Sequence, residues 1–333
     1  MNIEEKINLI TKNLYEIVEK EELKNLLKSK KKLTAYWGTM PTGSPHISYF
    51  LPLIIIKNLL EAGINVKILL ADFHAALDGV SWKLLEKRTR YYELLMKEML
   101  ETIKINTKNL TFIKGSSIQL KPSYVQDLLK LSMLTNINQA TKAASEVVKM
   151  KENPKLGNLL YPLMQALDEE YLQADIQLGG LDQRKILVFA REFLPKVGYK
   201  KRVELMHPII AGLVGKKMSS SVSESKIDLL DDEKTVISKI NKAEFDSENP
   251  DNGVMHMIKF IIFPIKNKFI LERSSKFGGD KVYENYESLE NELSSKKMHP
   301  LDIKNSLAKE INSLIEPIRK NKTLQKLYKE AYD

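Results

Sequence analysis

The chain contains no cysteine, and its 333 residues include only five scattered histidines. Disulfides and thiolate metal sites are thereby excluded, and a structural zinc has too few ligands. Long apolar runs are missing too. The longest, residues 50–56, is far too short to span a bilayer. The opening Asn2-Ile3-Glu4-Glu5-Lys6 lacks the apolar core of a secretory signal, so a cytoplasmic location is expected. No internal repeat occurs, and the only compositional bias is toward lysine. What remains is a chain 43% apolar, with mean hydropathy −0.28, long enough for two globular domains. Lysine and arginine number 52 against 43 acids, a net charge of +9. That excess favours a polyanionic partner such as nucleic acid, although lysine-rich chains carry similar charge without one.

Residues 1–30 read as one or two amphipathic helices. Residues 33–37, 66–71 and 110–113 read as short buried strands. Between them lie helical patterns at 47–61, closed by Gly63, and at 82–103. This alternation predicts a parallel sheet with crossover helices, whose ligands sit at the carboxyl ends of the strands. Helices alone are expected over 122–172, then a strand at 174–178 and a helix at 184–194. Beyond residue 225 the chain becomes highly charged with helical periodicity, so a boundary is placed there.

Two stretches suit a polyphosphate. Pro41-Thr42-Gly43-Ser44-Pro45-His46-Ile47-Ser48-Tyr49 bridges a strand and a helix, aiming free N–H groups and a helix dipole at the loop. Thr42 offers a hydroxyl there and His46 a ring donor; an ordinary strand-to-helix turn would account for the same residues. Gly215-Lys216-Lys217-Met218-Ser219-Ser220-Ser221 sets lysine beside three hydroxyls. Lys217 can neutralise a leaving pyrophosphate while Ser219, Ser220 and Ser221 bond its oxygens, though a solvated loop has this composition as well. Tyr161, Gln165 and Asp168 fall on one helix face, either lining a pocket or facing solvent. Tyr161-Pro162 reads as a helix start, which would make Tyr161 a packing residue.

Together these stretches resemble class I aminoacyl-tRNA synthetases: His46-Ile47-Ser48-Tyr49 matches the HIGH-type motif and Lys217-Met218-Ser219-Ser220-Ser221 the KMSKS-type motif. More narrowly, the chain is similar to tyrosyl-tRNA synthetases of the eukaryotic and archaeal type over nearly its whole length. Tyr36-Trp37-Gly38, Ala71-Asp72-Phe73-His74, Tyr161 to Asp168 and Gly179 to Lys185 carry the likeness, with Lys276 to Asp280 and His299 to Asp302 beyond the boundary. The resemblance implies an α/β fold: a Rossmann-like catalytic domain over 31–225 with a helical insertion at about 115–172. Helices over 1–30 would pack on it, and an all-α anticodon-binding domain would occupy 226–333.

The resemblance further implies activation of L-tyrosine with ATP and transfer to tRNA(Tyr), by a homodimer joined through the insertion. Tyr36 and Asp168 would take the substrate phenol, Tyr161, Gln165 and Gln183 its ammonium group, and Ala71 and His74 the pocket wall. Thr42, His46, Tyr49, Lys217 and the three serines would serve catalysis. ATP would meet Gly38, Gly43, His46, Gly180, Asp182 and Met218, with Mg²⁺ carried mainly on its phosphates. Lys142, Arg184 and Lys185 would read the first base pair of the acceptor stem. Phe277, His299 and Asp302 would read the anticodon, although a core aromatic, a surface histidine and a helix cap describe these three equally well. Ser48 and Tyr49 depart from the usual glycine and histidine, and Ser220 from a second lysine. A monovalent cation or Lys216 is expected to compensate for that lost charge. A tryptophanyl enzyme, a non-catalytic RNA-binding relative and a small-molecule adenylyltransferase remain as rival readings.

Overall fold

The computed structural model describes residues 1–29, 32–148, 155–220, 222–246, 249–295 and 298–333. The chain forms two compact units. The first comprises Met1–Thr42, Ile55–Glu93 and Asn106–Pro208; the second comprises Gly43–Ile54, Leu94–Ile105 and Ile209–Asp333.

The first unit is built on a six-stranded sheet. Its elements run α1 (Ile3–Thr11), β1 (Glu16–Val18), α2 (Lys20–Lys28), β2 (Thr34–Thr39), α3 (Phe50–Glu61, shared with the second unit) and β3 (Asn65–Leu70). Then come α4 (Asp72–Leu77), α5 (Trp82–Thr102, also shared), β4 (Leu110–Lys114), α6 (Ser116–Gln119), α7 (Pro122–Leu134) and α8 (Ile137–Ala144). The unit ends with α9 (Leu156–Tyr171), β5 (Ile176–Gly180), α10 (Arg184–Phe193) and β6 (Val203–His207). Strand order is β1-β6-β5-β2-β3-β4, all parallel except β1, which runs antiparallel to β6. The α/β class is therefore as expected, and two strands are added to it. β1 interrupts the N-terminal helices, and the glutamate second in β6 masks that strand's apolar pattern.

From β2 the chain steps outward to β3 and β4, then returns to β5 and β6 on the other side. The carboxyl ends of β2 and β5 are thus neighbours where the winding reverses, the place where open parallel sheets bind ligands. β5 is buried throughout, as a central parallel strand covered on both faces must be.

Glu204 in β6 and Glu169 in α9 are both fully buried, and none of their four carboxylate oxygens has a hydrogen-bond partner among the described residues. Burial pushes both pKa values up, with the Glu169 charge raising Glu204 further and the Asp168 charge raising Glu169, while Arg191 and Arg202 pull them back. Their neutral forms favour the fold, so stability is full below the ordinary carboxyl range and falls as pH rises through the raised values. Glu204→Gln should therefore raise the melting temperature at pH 8.5 by about 2–4 °C, equivalent to about 1 kcal/mol, and leave it unchanged near pH 5. Calorimetry at the two pH values checks this.

The second unit is mainly helical: α11 (Glu233–Lys242), α12 (Gly253–Met257), α13 (Phe263–Lys266), α14 (Tyr286–Ser294), α15 (Pro300–Lys320) and α16 (Lys322–Tyr332). A π-helical stretch, Ile258–Ile262, joins α12 to α13. Among the described residues beyond 226, a two-stranded antiparallel ribbon of β7 (Phe269–Leu271) and β8 (Lys281–Tyr283) departs from the expected all-helical pattern. Its connection turns through Gly278 and Gly279, whose φ of +99° and +72° suits glycine.

Candidate active site

α9 carries the first cluster. It begins at Leu156, so Pro162 lies inside the helix and Tyr161 is not a starting residue. Tyr161, Gln165 and Asp168 do share a face, and it is buried, not solvated. Asp168 is 1% exposed, and its carboxylate accepts two bonds from Gln119 Nε2, at 2.9 and 3.1 Å. The Tyr124 hydroxyl lies 2.9 Å from Asp168 Oδ1 and 2.8 Å from the Met164 carbonyl, with one proton for both. His74 Nε2 stands 3.8 Å from Asp168 Oδ2.

Burial raises the Asp168 pKa to about 7, despite the bonds from Gln119 and Tyr124 that stabilise its charge. The Tyr36 phenol is pushed well up by burial and then by the Asp168 charge, and it donates to the Gln165 carbonyl at 3.2 Å. Burial lowers His74 to about 4, which leaves the imidazole neutral at pH 7. His74 Nε2 and Gln119 Oε1 are buried without a hydrogen-bond partner among the described residues. Around them Tyr36, Leu69, Ala71, Ile118, Leu172 and Ala174 form an apolar cluster. The site is a buried carboxylate beside a neutral imidazole, and two polar atoms next to it, His74 Nε2 and Gln119 Oε1, keep unused hydrogen-bonding capacity.

At the end of β5, Gln165 Nε2 donates to Gln183 Oε1 at 3.2 Å. A Cβ on Gly179 would fall 2.8 Å from that same oxygen, and one on Gly180 would fall 2.4 Å from Asp182 Oδ1. Both glycines therefore make room for the side chains that follow them. Gly38 differs, since a Cβ there meets nothing closer than 3.7 Å.

The two phosphate-type motifs meet in the second unit. A 3₁₀ turn, Ile47–Tyr49, leads into α3. The Ile47 N–H donates to the Ile227 carbonyl at 3.0 Å, and His46 forms an antiparallel bridge with Asp228. Lys226 Nζ donates to the Ser44 carbonyl at 3.0 Å and to Asp228 Oδ2 at 3.1 Å. A Cβ on Gly43 would stand 2.8 Å from the Ser220 Cβ and 3.0 Å from its carbonyl oxygen, so only glycine lets these loops touch.

His46 is buried, with Nδ1 2.7 Å from the Ser48 hydroxyl and its ring edge-on to Tyr49. Burial, then the charges of Lys226 and Lys217, lower its pKa to about 3. The ring is neutral at pH 7, offering one N–H donor and no charge. Met218 is buried and its N–H donates to the Ile210 carbonyl, while Lys216 and Lys217 are exposed. The Ser225 hydroxyl accepts from the Ser219 N–H at 3.1 Å. Thr42, in the first unit, accepts at its carbonyl from Arg88 Nη1 at 2.7 Å. Ser221 lies outside the described residues.

The remaining predicted residues are spread out. Lys142 is exposed in the last turn of α8. Arg184 is bound by Glu16, and Lys185 by Ser145 and Glu146. Phe277 is 66% exposed, which removes the core-aromatic alternative. The cap of α15 is His299, whose Nδ1 accepts from the Leu301 N–H, and Asp302 sits in the first turn. Gln119, Tyr124, Lys226 and Asp228 were not legible from the sequence. Gln119 and Tyr124 lie 49 and 44 residues from Asp168, and Lys226 lies 182 residues from Ser44, on elements with no motif of their own.

A parallel sheet with reversed winding and two motif loops in contact fits a class I synthetase, and the chain belongs to that family: the family model described as tRNA synthetases class I (W and Y) matches residues 28–316. Within it, the chain is 47% identical over 335 residues to the cytoplasmic tyrosine--tRNA ligase of Danio rerio, covering 99% of this chain and 63% of that one. It is 42% identical over 340 residues to a probable cytoplasmic tyrosine--tRNA ligase of Encephalitozoon cuniculi, covering both in full. The tyrosyl-tRNA synthetase of Archaeoglobus fulgidus, solved with L-tyrosine, superposes with a TM-score of 0.89 at 38% identity, covering 96% of this chain and 99% of that one. The chain thus spans just under two thirds of the length of the vertebrate relatives it matches.

Proposed function

We propose that the chain is a cytoplasmic tyrosine--tRNA ligase. L-tyrosine is activated by ATP to tyrosyl-adenylate and pyrophosphate, and the tyrosyl group then passes to tRNA(Tyr) with release of AMP. The observation that carries this reading is the buried Asp168 carboxylate, with Gln119, Tyr124 and an unpartnered His74 Nε2 around it. The substrate phenol donates to Asp168, next to Tyr36. Phenylalanine would leave that carboxylate without the donor it is built for. Tyr161, Gln165 and Gln183 hold the ammonium group, and Ala71 and His74 the ring.

On this reading a tyrosine carboxylate oxygen attacks the α-phosphorus, and the bond to the bridging oxygen breaks. Thr42, His46, Tyr49, Lys217, Ser219, Ser220 and Ser221 act on the phosphates, and neutral His46 serves as a donor, not as an acid. Gly38, Gly43 and Gly180 admit the nucleotide, Asp182 accepts from its ribose, and Met218 anchors the serine loop. Mg²⁺ would add charge neutralisation. On this reading the ion is carried mainly on the phosphates of ATP, since Mg²⁺ dehydrates reluctantly and is commonly held by substrate phosphates.

Lys142, Arg184 and Lys185 meet the acceptor stem. The helical region over 226–333 takes the anticodon through Phe277, His299 and Asp302, with exposed Phe277 available for stacking. We also propose a homodimer joined through the insertion. Val125, Leu129 and Met133 stand exposed at successive turns of α7, continued by Leu134 and Ile137, an apolar stripe suited to burial against a second copy. Met133→Asp with Leu129→Asp is expected to halve the sedimenting mass, and an unchanged mass would reject this interface.

ATP–pyrophosphate exchange with tyrosine, tryptophan and phenylalanine supplied separately tests the reading. Exchange confined to tyrosine is expected. Exchange with tryptophan, or none at all, would overturn it.

A further inference from the structure

Arg184 opens α10 and is half-exposed, yet its guanidinium is not free. Nε donates to Glu16 Oε2 at 2.8 Å and Nη2 to Glu16 Oε1 at 2.9 Å. This is the side-on fork, in which a carboxylate takes the Nε edge of the planar group. Glu16 comes from β1, far away in sequence, and its backbone is pinned because β1 pairs with β6, Glu16 opposite Met206. The next residue along α10 is also held by a carboxylate: Lys185 Nζ donates to Ser145 Oγ at 3.0 Å and pairs with Glu146 at 2.8 Å.

A guanidinium has two edges that can fork. With the Nε edge occupied, the remaining pair of parallel N–H groups, on Nη1 and Nη2, is fixed in direction. That pair matches the O6 and N7 acceptors of guanine. The carboxylate also cancels the positive charge that would otherwise draw any phosphate to Arg184 regardless of sequence.

We propose that Glu16 is a positioning residue for nucleotide readout: it holds Arg184 by one edge so that the other edge forks onto a guanine of the terminal acceptor base pair. The proposal rests on the tRNA-charging reading above and deepens it. Glu16 touches no substrate; it acts through Arg184. It converts a cation that would bind backbone indiscriminately into one that distinguishes a G·C pair from its inversion.

The test uses the full chain and two tRNA transcripts identical except for inversion of the first acceptor-stem base pair. Charging kcat/KM is measured on both for the unaltered protein, Glu16→Gln, Glu16→Ala and Arg184→Ala, with tyrosine-dependent ATP–pyrophosphate exchange on the same preparations. One bidentate base contact corresponds to a preference of about 5- to 150-fold. Arg184→Ala should abolish the preference. Both Glu16 variants should lower it at least fivefold while exchange stays unchanged, and Glu16→Gln, nearly isosteric, guards against misfolding. The proposal fails if the Glu16 variants alter charging of both transcripts by the same factor, because the carboxylate then only tunes charge. It fails equally if Arg184→Ala leaves the ratio intact. Absence of tyrosine-dependent exchange in the unaltered protein would instead sink the ligase reading itself.

Discussion

Asp168→Asn is expected to raise the KM for tyrosine in ATP–pyrophosphate exchange about a hundredfold and to erase most of the preference over phenylalanine. Asparagine keeps one acceptor oxygen but turns an N–H₂ toward donors that the carboxylate now satisfies, Gln119 Nε2 and the Tyr124 hydroxyl. Hydrogen bonds to a charged group contribute about 1.5–3 kcal/mol, and a buried donor without an acceptor adds further loss. The same carboxyl sets a pH dependence. Its pKa of about 7 in the free protein means that it is largely protonated at pH 6. A phenol donates best to the ionised form, so tyrosine binding lowers that pKa and releases a proton. Affinity should therefore climb up to about tenfold per unit as pH rises toward 7, then level off. Titration calorimetry from pH 5.5 to 8 reads this directly, and the slope should vanish in Asp168→Asn. A flat profile in the unaltered protein would show that Asp168 does not receive the phenol.

Lys226→Met is the second large effect. Lys226 is 8% exposed, and it ties the Ser44 carbonyl in one motif loop to Asp228, beside which the His46 bridge forms. Removing the ammonium leaves the Asp228 carboxylate buried, still accepting from the Leu230 N–H at 3.1 Å on Oδ1 but without its cation. Breaking a buried pair from one side costs about 3–5 kcal/mol. A drop in kcat for exchange of two orders of magnitude or more is expected, together with a lower melting temperature. KM for tyrosine should hardly move, since the residues proposed to take the phenol, Tyr36 and Asp168, belong to the other unit. Lys217→Ala gives the contrast. Its side chain is exposed, so kcat should fall about 10²-fold or more with the melting temperature unchanged. Retained kcat in Lys226→Met would mean that the loop contacts through Gly43 and Ile47 suffice without the lysine.

Much of the fold was legible because its signals are local. Apolar runs at 66–71 and 110–113 need no partner to be recognised as strands. β6 escaped because Glu204 breaks the apolar pattern of a strand that is nonetheless buried around it. β1 is three residues long in a lysine- and glutamate-rich stretch, too short to outweigh the helical pattern on either side. Tyr161, Gln165 and Asp168 were readable as one face, since helical spacing alone sets which residues align. Their burial was not readable, nor was the start of their helix, because Pro162 looks like an N-terminal signal wherever it falls.

The residue order by itself determined the two motifs, the parallel alternation, the polar helix face and the helical character beyond 226. All of these follow from neighbours within a few turns of chain. Tertiary structure alone decided that Gln119 and Tyr124 fill the Asp168 carboxylate, that Gly43 rests against Ser220, and that Lys226 and Glu16 each hold a distant group in place. Those pairs lie 44 to 182 residues apart. Nothing in the chain between them records which ends will meet until the sheet has closed and the interior has been packed.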